Sequence, residues 1–141
     1  MDSLRLTIYS EPIPKARART CVRNGRVMSF TPKATADAEA DIRNQLMNQK
    51  AFYAKVTPLK VNLAFYITKP PSVSKKRIYP VTRPDIDNYV KLVLDALNQY
   101  LFEDDSQIVE LHATKGYGNP PRIEIEVAEV KATIIEIEVK A

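Results

Sequence analysis

The chain of 141 residues has one cysteine, one histidine, three glycines and no tryptophan. A lone Cys21 excludes an internal disulfide, and with no second thiol a thiolate zinc site is implausible. Three glycines leave no glycine-rich phosphate loop, so nucleoside triphosphate binding is not expected. Nowhere do about 18 apolar residues run together, as a membrane-spanning helix needs. The start, Met1-Asp2-Ser3-Leu4-Arg5-Leu6, shows no long apolar leader. The expectation is a soluble, cytoplasmic protein in a reducing setting, with no membrane partner. One further gap is more telling. No Asp or Glu occurs between Asp41 and Asp85, although nine Lys or Arg residues do.

Charge is therefore divided along the chain. Residues 1–84 hold 16 basic and 5 acidic residues, a net +11, and residues 85–141 hold 5 and 12, a net −7, which together give the overall +4. From Asp85 to Glu110, seven acids accompany the single Lys91. A cationic surface beside a compact acidic cluster suits a polyanionic substrate, held by one part and cut with metal ions bound by the other. The overall pI near 9.2 points to nucleic acid only weakly; the uneven distribution is the stronger signal. The length fits one domain, residues 1–141, and 45% apolar residues are enough to bury a core.

Leu4, Leu6 and Ile8 alternate with polar residues, as in a half-buried strand. Asn24-Gly25 lies between two short β-prone runs, 20–23 and 26–30, and tolerates the positive φ of a tight hairpin turn. Thr31-Pro32 reads as an N-cap followed by proline at the first helical position, opening a helix to about Lys50 with Asp37, Glu39 and Asp41 in its first half. Leu59, Val61, Leu63, Phe65 and Ile67 alternate in a second strand. The Pro70 to Pro84 segment, with Lys75, Lys76 and Arg77, reads as a surface loop. Ile86, Val90, Val93, Leu94, Leu97 and Leu101 share one face of a helix over about 86–101. Strands follow at 107–117 and 122–130, and Ile-Glu-Ile-Glu-Val occurs at 123–127 and again at 135–139. Both copies read as strands, with glutamates toward water. The order predicts an α/β (α+β) domain with a small mixed sheet and two main helices.

Around the second helix, Arg83-Pro84-Asp85-Ile86-Asp87-Asn88 leads to Lys91, and Glu103-Asp104-Asp105-Ser106-Gln107 follows the helix. A structural reading makes Asp85 an N-cap, Asp87 a first-turn acid, and Asp87 with Lys91 an ordinary i,i+4 ion pair. A chemical reading makes the carboxylates ligands for a hard cation, Mg²⁺ or Mn²⁺, with Lys91 beside the scissile phosphate. A helix of about 15 residues spans roughly 22 Å, so the two acidic groups meet only if the chain turns back or a second subunit contributes. His112, in a strand, reads as structural or solvent-facing rather than as a ligand.

Arg-Pro-Asp-Ile-Asp-Asn, Lys91, Leu94-Asp95-Ala96-Leu97 and Asp104-Asp105-Ser106-Gln107-Ile108 resemble the RusA family of Holliday-junction resolvases, small endodeoxyribonucleases common in prophages. The likeness extends to Pro12-Ile13-Pro14-Lys15-Ala16-Arg17 and Thr31-Pro32-Lys33 with Thr35, and covers most of residues 5–127. It implies a homodimeric nuclease that resolves four-way DNA junctions by paired nicks with Mg²⁺ or Mn²⁺. By position, Asp85, Asp87 and Asp105 match the family's essential acids and Lys91 its lysine; Asp104, adjoining Asp105, exchanges with it on a one-residue slip. Lys15, Arg17, Arg19, Lys75, Lys76 and Arg77 are the candidate contacts to DNA phosphates, and Tyr79 a candidate for stacking on an unpaired base. Two alternatives remain: a nuclease for other branched DNA, and a non-catalytic basic nucleic-acid-binding protein. Residues from about 128 to 141 form an extension to which the family gives no role.

Overall fold

The computed structural model describes residues 3–17 and 19–131. In chain order these form β1 (Leu4–Ile8), β2 (Arg19–Arg23), β3 (Arg26–Phe30), α1 (Lys33–Gln45), β4 (Leu59–Ile67), α2 (Ile86–Leu97), β5 (Ile108–Tyr117) and β6 (Arg122–Glu129), with a 3₁₀ turn over Asp105–Gln107. Four strands make one mixed sheet in the order β1-β6-β4-β5. β6 runs antiparallel to both β1 and β4, whereas β5 runs parallel to β4. A parallel pair needs a crossover, and the basic loop with α2 supplies it. β2 and β3 form the expected hairpin, with Asn24 and Gly25 at φ 52° and 75° in the turn. The second copy of Ile-Glu-Ile-Glu-Val lies outside the described residues. No helix among the described residues is long and apolar enough to cross a membrane.

The two-residue period of the strands and the 3.6-residue period of the helices meet on one face of the sheet. Val61, Leu63 and Phe65 of β4 and Ile123, Ile125 and Val127 of β6 are buried there against Tyr89, Leu92, Val93, Ala96 and Leu97 of α2 and Ile42 of α1. Each full burial of such a side chain contributes about 1.5–3 kcal/mol. Phe65 and Tyr89 stack with ring centroids 5.3 Å apart. On the opposite face Glu124 and Glu126 of β6 are half-buried rather than freely solvated, while Glu129 at the strand end is exposed. Glu126 accepts hydrogen bonds from Asn62 and Arg5, both at 2.9 Å, which hold its pKa below the usual carboxylate value.

Both helices end earlier than the apolar pattern predicts, and α1 starts one residue later. Pro32 rather than Thr31 stands at its N-cap, and it closes at Gln45. α2 closes at Leu97 because Asn98 turns to extended backbone and Gln99 adopts φ 67°. Gln99 occupies a conformation that glycine usually takes at a helix end, at a steric cost of about 1–2 kcal/mol. Its N–H donates to Phe102 O at 2.7 Å, closing a tight reversal, and Leu101 and Phe102 are buried from this turn rather than from the helix. Arg43 of α1 donates to the carbonyls of Asp95 and Ala96 and so caps the end of α2.

The reversal is tied down by Gln107, a buried amide. Its Nε2 donates to Ala54 O at 2.8 Å and Thr57 O at 3.1 Å, while its Oε1 accepts from Asp104 N at 3.0 Å. Gln107→Ala leaves those groups unpaired and is expected to lower stability by about 2–3 kcal/mol. A urea titration reads this directly. A midpoint that does not move would contradict the role assigned to the amide.

Candidate nucleic-acid and metal site

Asp85 stands at the N-cap of α2 with φ −72° and ψ 147°, yet its carboxylate makes no capping hydrogen bond. Only its carbonyl is used, accepting from Asn88 N at 3.1 Å. Asp87 is exposed in the first turn, and its carboxylate has no hydrogen-bond or ion-pair partner among the described residues. The i,i+4 pair with Lys91 does not form. Lys91 lies instead 3.8 Å from Asp95, one turn further along, with its side chain 65% exposed. The side-chain cap read for Asp85 and the ion pair read for Asp87 are therefore not formed, although Asp87 does stand as the acid of the first turn.

Asp95 belongs to a half-buried network. Lys15 Nζ lies 3.1 Å from its carboxylate and 2.8 Å from that of Glu39. The segment that carries Lys15, between β1 and β2, is a strap stitched to both helices by its main-chain N–H groups: Lys15 N donates to Asn88 O at 2.9 Å and Ala16 N to Thr35 Oγ1 at 3.2 Å. Glu39, read from sequence as a dipole-compensating acid, serves as a counter-ion to Lys15; the first turn of α1 holds no acid. Lys15 departs in the same way from the expectation of a DNA contact, because its ammonium is turned inward and neutralised. Partial burial pulls its pKa down, but hydrogen bonds and charge from Glu39 and Asp95 outweigh this and the net shift is upward from 10.5.

The remaining bases are disposed differently. Arg17, Lys75, Lys76 and Arg77 are exposed, and Arg19 opens β2. Lys69 Nζ donates to Arg77 O at 2.6 Å and gathers the loop into a fixed turn, which leaves its charged side chains outward. From there Tyr79, 66% exposed, leads to a surface groove of about 740 Å³. Arg83, Lys115 and Asp85 also line it. Lys115 of β5 was not singled out from sequence, because only the fold brings it here. Its Nζ donates to Thr82 O and Pro84 O, both at 3.0 Å, and so holds the approach to Asp85 against the far half of β5. A cavity of about 370 Å³ on the opposite sheet face, lined by Arg5, Asn62, His112 and Glu126, contains none of the candidate acids. His112 is solvent-facing.

Asp104 and Asp105 stand elsewhere. Asp104 caps the 3₁₀ turn in a capping box with Gln107, and hydrogen bonding from the Ser106 side chain, followed by the main-chain N–H groups of Ser106 and Asp105, outweighs partial burial and lowers its pKa. Asp105 has no side-chain partner among the described residues. Both precede Ile108, whereas Asp85 follows Pro84, whose carbonyl accepts from Lys115 near the far end of β5. Seven strand residues separate these points, about 23 Å at ~3.3 Å per residue. The chain does turn back after Leu101, but it carries the second acidic pair to the wrong end of β5. Among the described residues no group of three or more His, Cys, Asp or Glu side chains stands close enough to hold a metal ion. One chain thus offers two free carboxylates at one end and a third at the other, which is not by itself a complete cation site.

A single α+β domain thus presents unpaired carboxylates together with an outward basic loop. Its family is known: the chain belongs to the RusA endodeoxyribonucleases, whose family model matches residues 10–128. It is 33% identical over 142 aligned positions to the uncharacterized protein YqaN of Bacillus subtilis (strain 168), covering 94% of this chain and all of that one. It is 37% identical over 94 positions to the crossover junction endodeoxyribonuclease rusA of Lactococcus phage r1t, covering 63% of this chain and 70% of that protein.

The Lys15 network yields a stability test. Lys15→Met leaves Glu39 and Asp95 without their cation and is expected to cost about 1–3 kcal/mol at neutral pH. Because the folded-state pKa lies above the ordinary 10.5, the contribution is complete below that value and fades as pH rises through the higher folded pKa. The gap between wild-type and Lys15→Met unfolding midpoints should hold from neutral pH to near 10, then narrow. A gap that widens with pH would contradict the assignment.

Proposed function

We propose that this RusA-family chain is a structure-selective endodeoxyribonuclease that resolves four-way (Holliday) junctions by paired phosphodiester hydrolysis, acting as a homodimer. The observation that carries the reading is the pair of free carboxylates, Asp85 and Asp87, at the exposed end of α2, with Arg83 and Lys115 lining the groove that Asp85 shares and the exposed Lys75–Arg77 loop preceding it in the chain. Cationic side chains flanking the groove bind backbone phosphates without reading sequence. Lys91, held on its stem by Asp95 yet 65% exposed, meets the phosphate whose charge grows during attack. Tyr79 stacks on a base exposed at the crossover.

The carboxylates suit a hard divalent ion, Mg²⁺ or Mn²⁺, which supplies Lewis acidity at the phosphodiester. Asp85, Asp87 and Asp105 are its proposed ligands. Asp104 is the weaker candidate because its oxygens already serve the 3₁₀ cap. The acids of one chain do not by themselves fit the ion, since Asp105 is remote from the other two.

Asp87→Asn removes a carboxylate together with a negative charge near phosphate, so cleavage and affinity should separate. Nicking of a labelled four-way junction with Mg²⁺ is expected to fall by more than about 100-fold, since losing groups that merely support a ligand already costs 10- to 100-fold. Junction binding in a gel shift should be unchanged or tighter, and a matched linear duplex should be spared by the wild type. Equal loss of binding and nicking would contradict the role of Asp87, and an inactive wild type that still binds would favour the non-catalytic reading.

A further inference from the structure

β2 and β3 stand outside the main sheet, and none of their residues belongs to the hydrophobic core or packs against it. Val22 is 70% and Val27 75% exposed, and Met28 and Phe30 are exposed as well. A two-stranded ribbon alone is only marginally stable in water, so one that shows this much apolar surface is made to be covered. Alternation along the paired strands puts Val22 and Val27 on one face and Met28 and Phe30 on the other. A partner protein, or the body of the domain, would cover one face and leave the other wet. The occupant has to reach both.

Charge narrows the occupant further. No acid occurs between Glu11 and Asp37, while six bases do. Arg23 and Arg26 oppose each other directly across the Asn24-Gly25 turn, both exposed and with no acidic partner among the described residues. Like charges so placed destabilise a ribbon. Charged side chains do blunt free strand edges, but either sign serves that purpose, and an opposed pair of one sign is the costly choice. A polyanion relieves it. The ribbon is also rooted beside the candidate site: β2 follows the strap that is bonded to Asn88, the neighbour of Asp87, and to Thr35 in the first turn of α1. From that root, five strand residues carry the tip about 16 Å outward at ~3.3 Å per residue.

We infer that the β2–β3 ribbon is the element that recognises the branch point of four-way DNA. Arg23 and Arg26 meet the phosphates that converge there, and the apolar side chains on its two faces lie against the base pairs on either side of the opening. This inference rests on the junction reading for its ligand, and on the exposure and charge of the ribbon for its residues. Apolar side chains are what proteins insert where stacked bases are parted. A linear duplex supplies phosphates but keeps its base faces stacked, so it satisfies the arginines and not the valines. Branched DNA satisfies both. Selectivity for the branch then resides in the ribbon, apart from the carboxylates at the end of α2.

The test uses the full chain and a four-way junction carrying 2-aminopurine next to the crossover, with a linear duplex of the same sequence as control. Binding is read in EDTA, which keeps cleavage out of the measurement. Wild type should bind the junction and brighten the 2-aminopurine as that base leaves its stack. Val22→Thr combined with Val27→Thr keeps the β-branched shape that the strands favour. This pair is expected to abolish the brightening and weaken junction binding about fivefold or more, while duplex affinity stays within about twofold. Arg23→Gln combined with Arg26→Gln should weaken junction binding about tenfold and flatten the slope of log K against log salt by about two. Equal loss on junction and duplex from the valine pair, or no loss from either pair, would overturn the assignment. A wild type whose ribbon variants lose the junction in this way, yet which never nicks it with Mg²⁺, would sink the nuclease reading and leave the ribbon standing. Wild-type nicking and binding that both variants retain in full would do the reverse.

Discussion

Tyr89, Leu92, Val93, Ala96 and Leu97 press one face of α2 onto the β4–β6 sheet, and a helix with five buried positions on one face cannot rotate without exposing them. The stack of Tyr89 on Phe65 lies within one turn of Asp85 and Asp87, so an aromatic contact with the sheet anchors the end of the helix that carries them. Burial on one side thus decides what is exposed on the other. Asp87 and Lys91 face solvent because the positions between them face the core. The Lys15 strap adds a second restraint from the other side, holding the backbone of Asn88 and the carboxylate of Asp95.

Charge in this protein sorts into two kinds that composition alone does not separate. Lys15, Glu39 and Asp95 neutralise one another and join the strap to both helices. Arg43 and Lys115 spend their donors on main-chain carbonyls, one capping α2 and the other mooring its approach. What remains for a ligand includes the exposed Arg17, Lys75, Lys76, Arg77, Arg83, Lys91 and the free acids. The excess positive charge of residues 1–84 therefore overstates the cationic surface that nucleic acid can meet.

Periodicity made the strands legible: Leu59 to Ile67 and Arg122 to Glu129 alternate because each has one face in the core, and Asn24-Gly25 announces its turn through positive φ. Helix ends were less legible. Leu101 continues the apolar spacing of α2 although it is buried from the reversal, and the left-handed residue that ends the helix is Gln99, which carries no such signal. The types of the candidate site residues are plain in Asp85, Asp87, Lys91 and Asp105. Their placement is not, because the parallel direction of β5 is a tertiary outcome that carries Asp105 away from α2. The pairing of Glu39 with Lys15 is hidden for a related reason: each looks like a solvated charge until α1 and the strap come together.

The central claim, that two symmetric sites cut opposed strands of one junction, is tested most directly on a supercoiled plasmid that extrudes a cruciform. With Mg²⁺ and wild-type protein, linear product should appear from the earliest times with little open circle preceding it, because both nicks fall within one encounter. Open circle that accumulates first and becomes linear only as protein is added in excess would contradict the account.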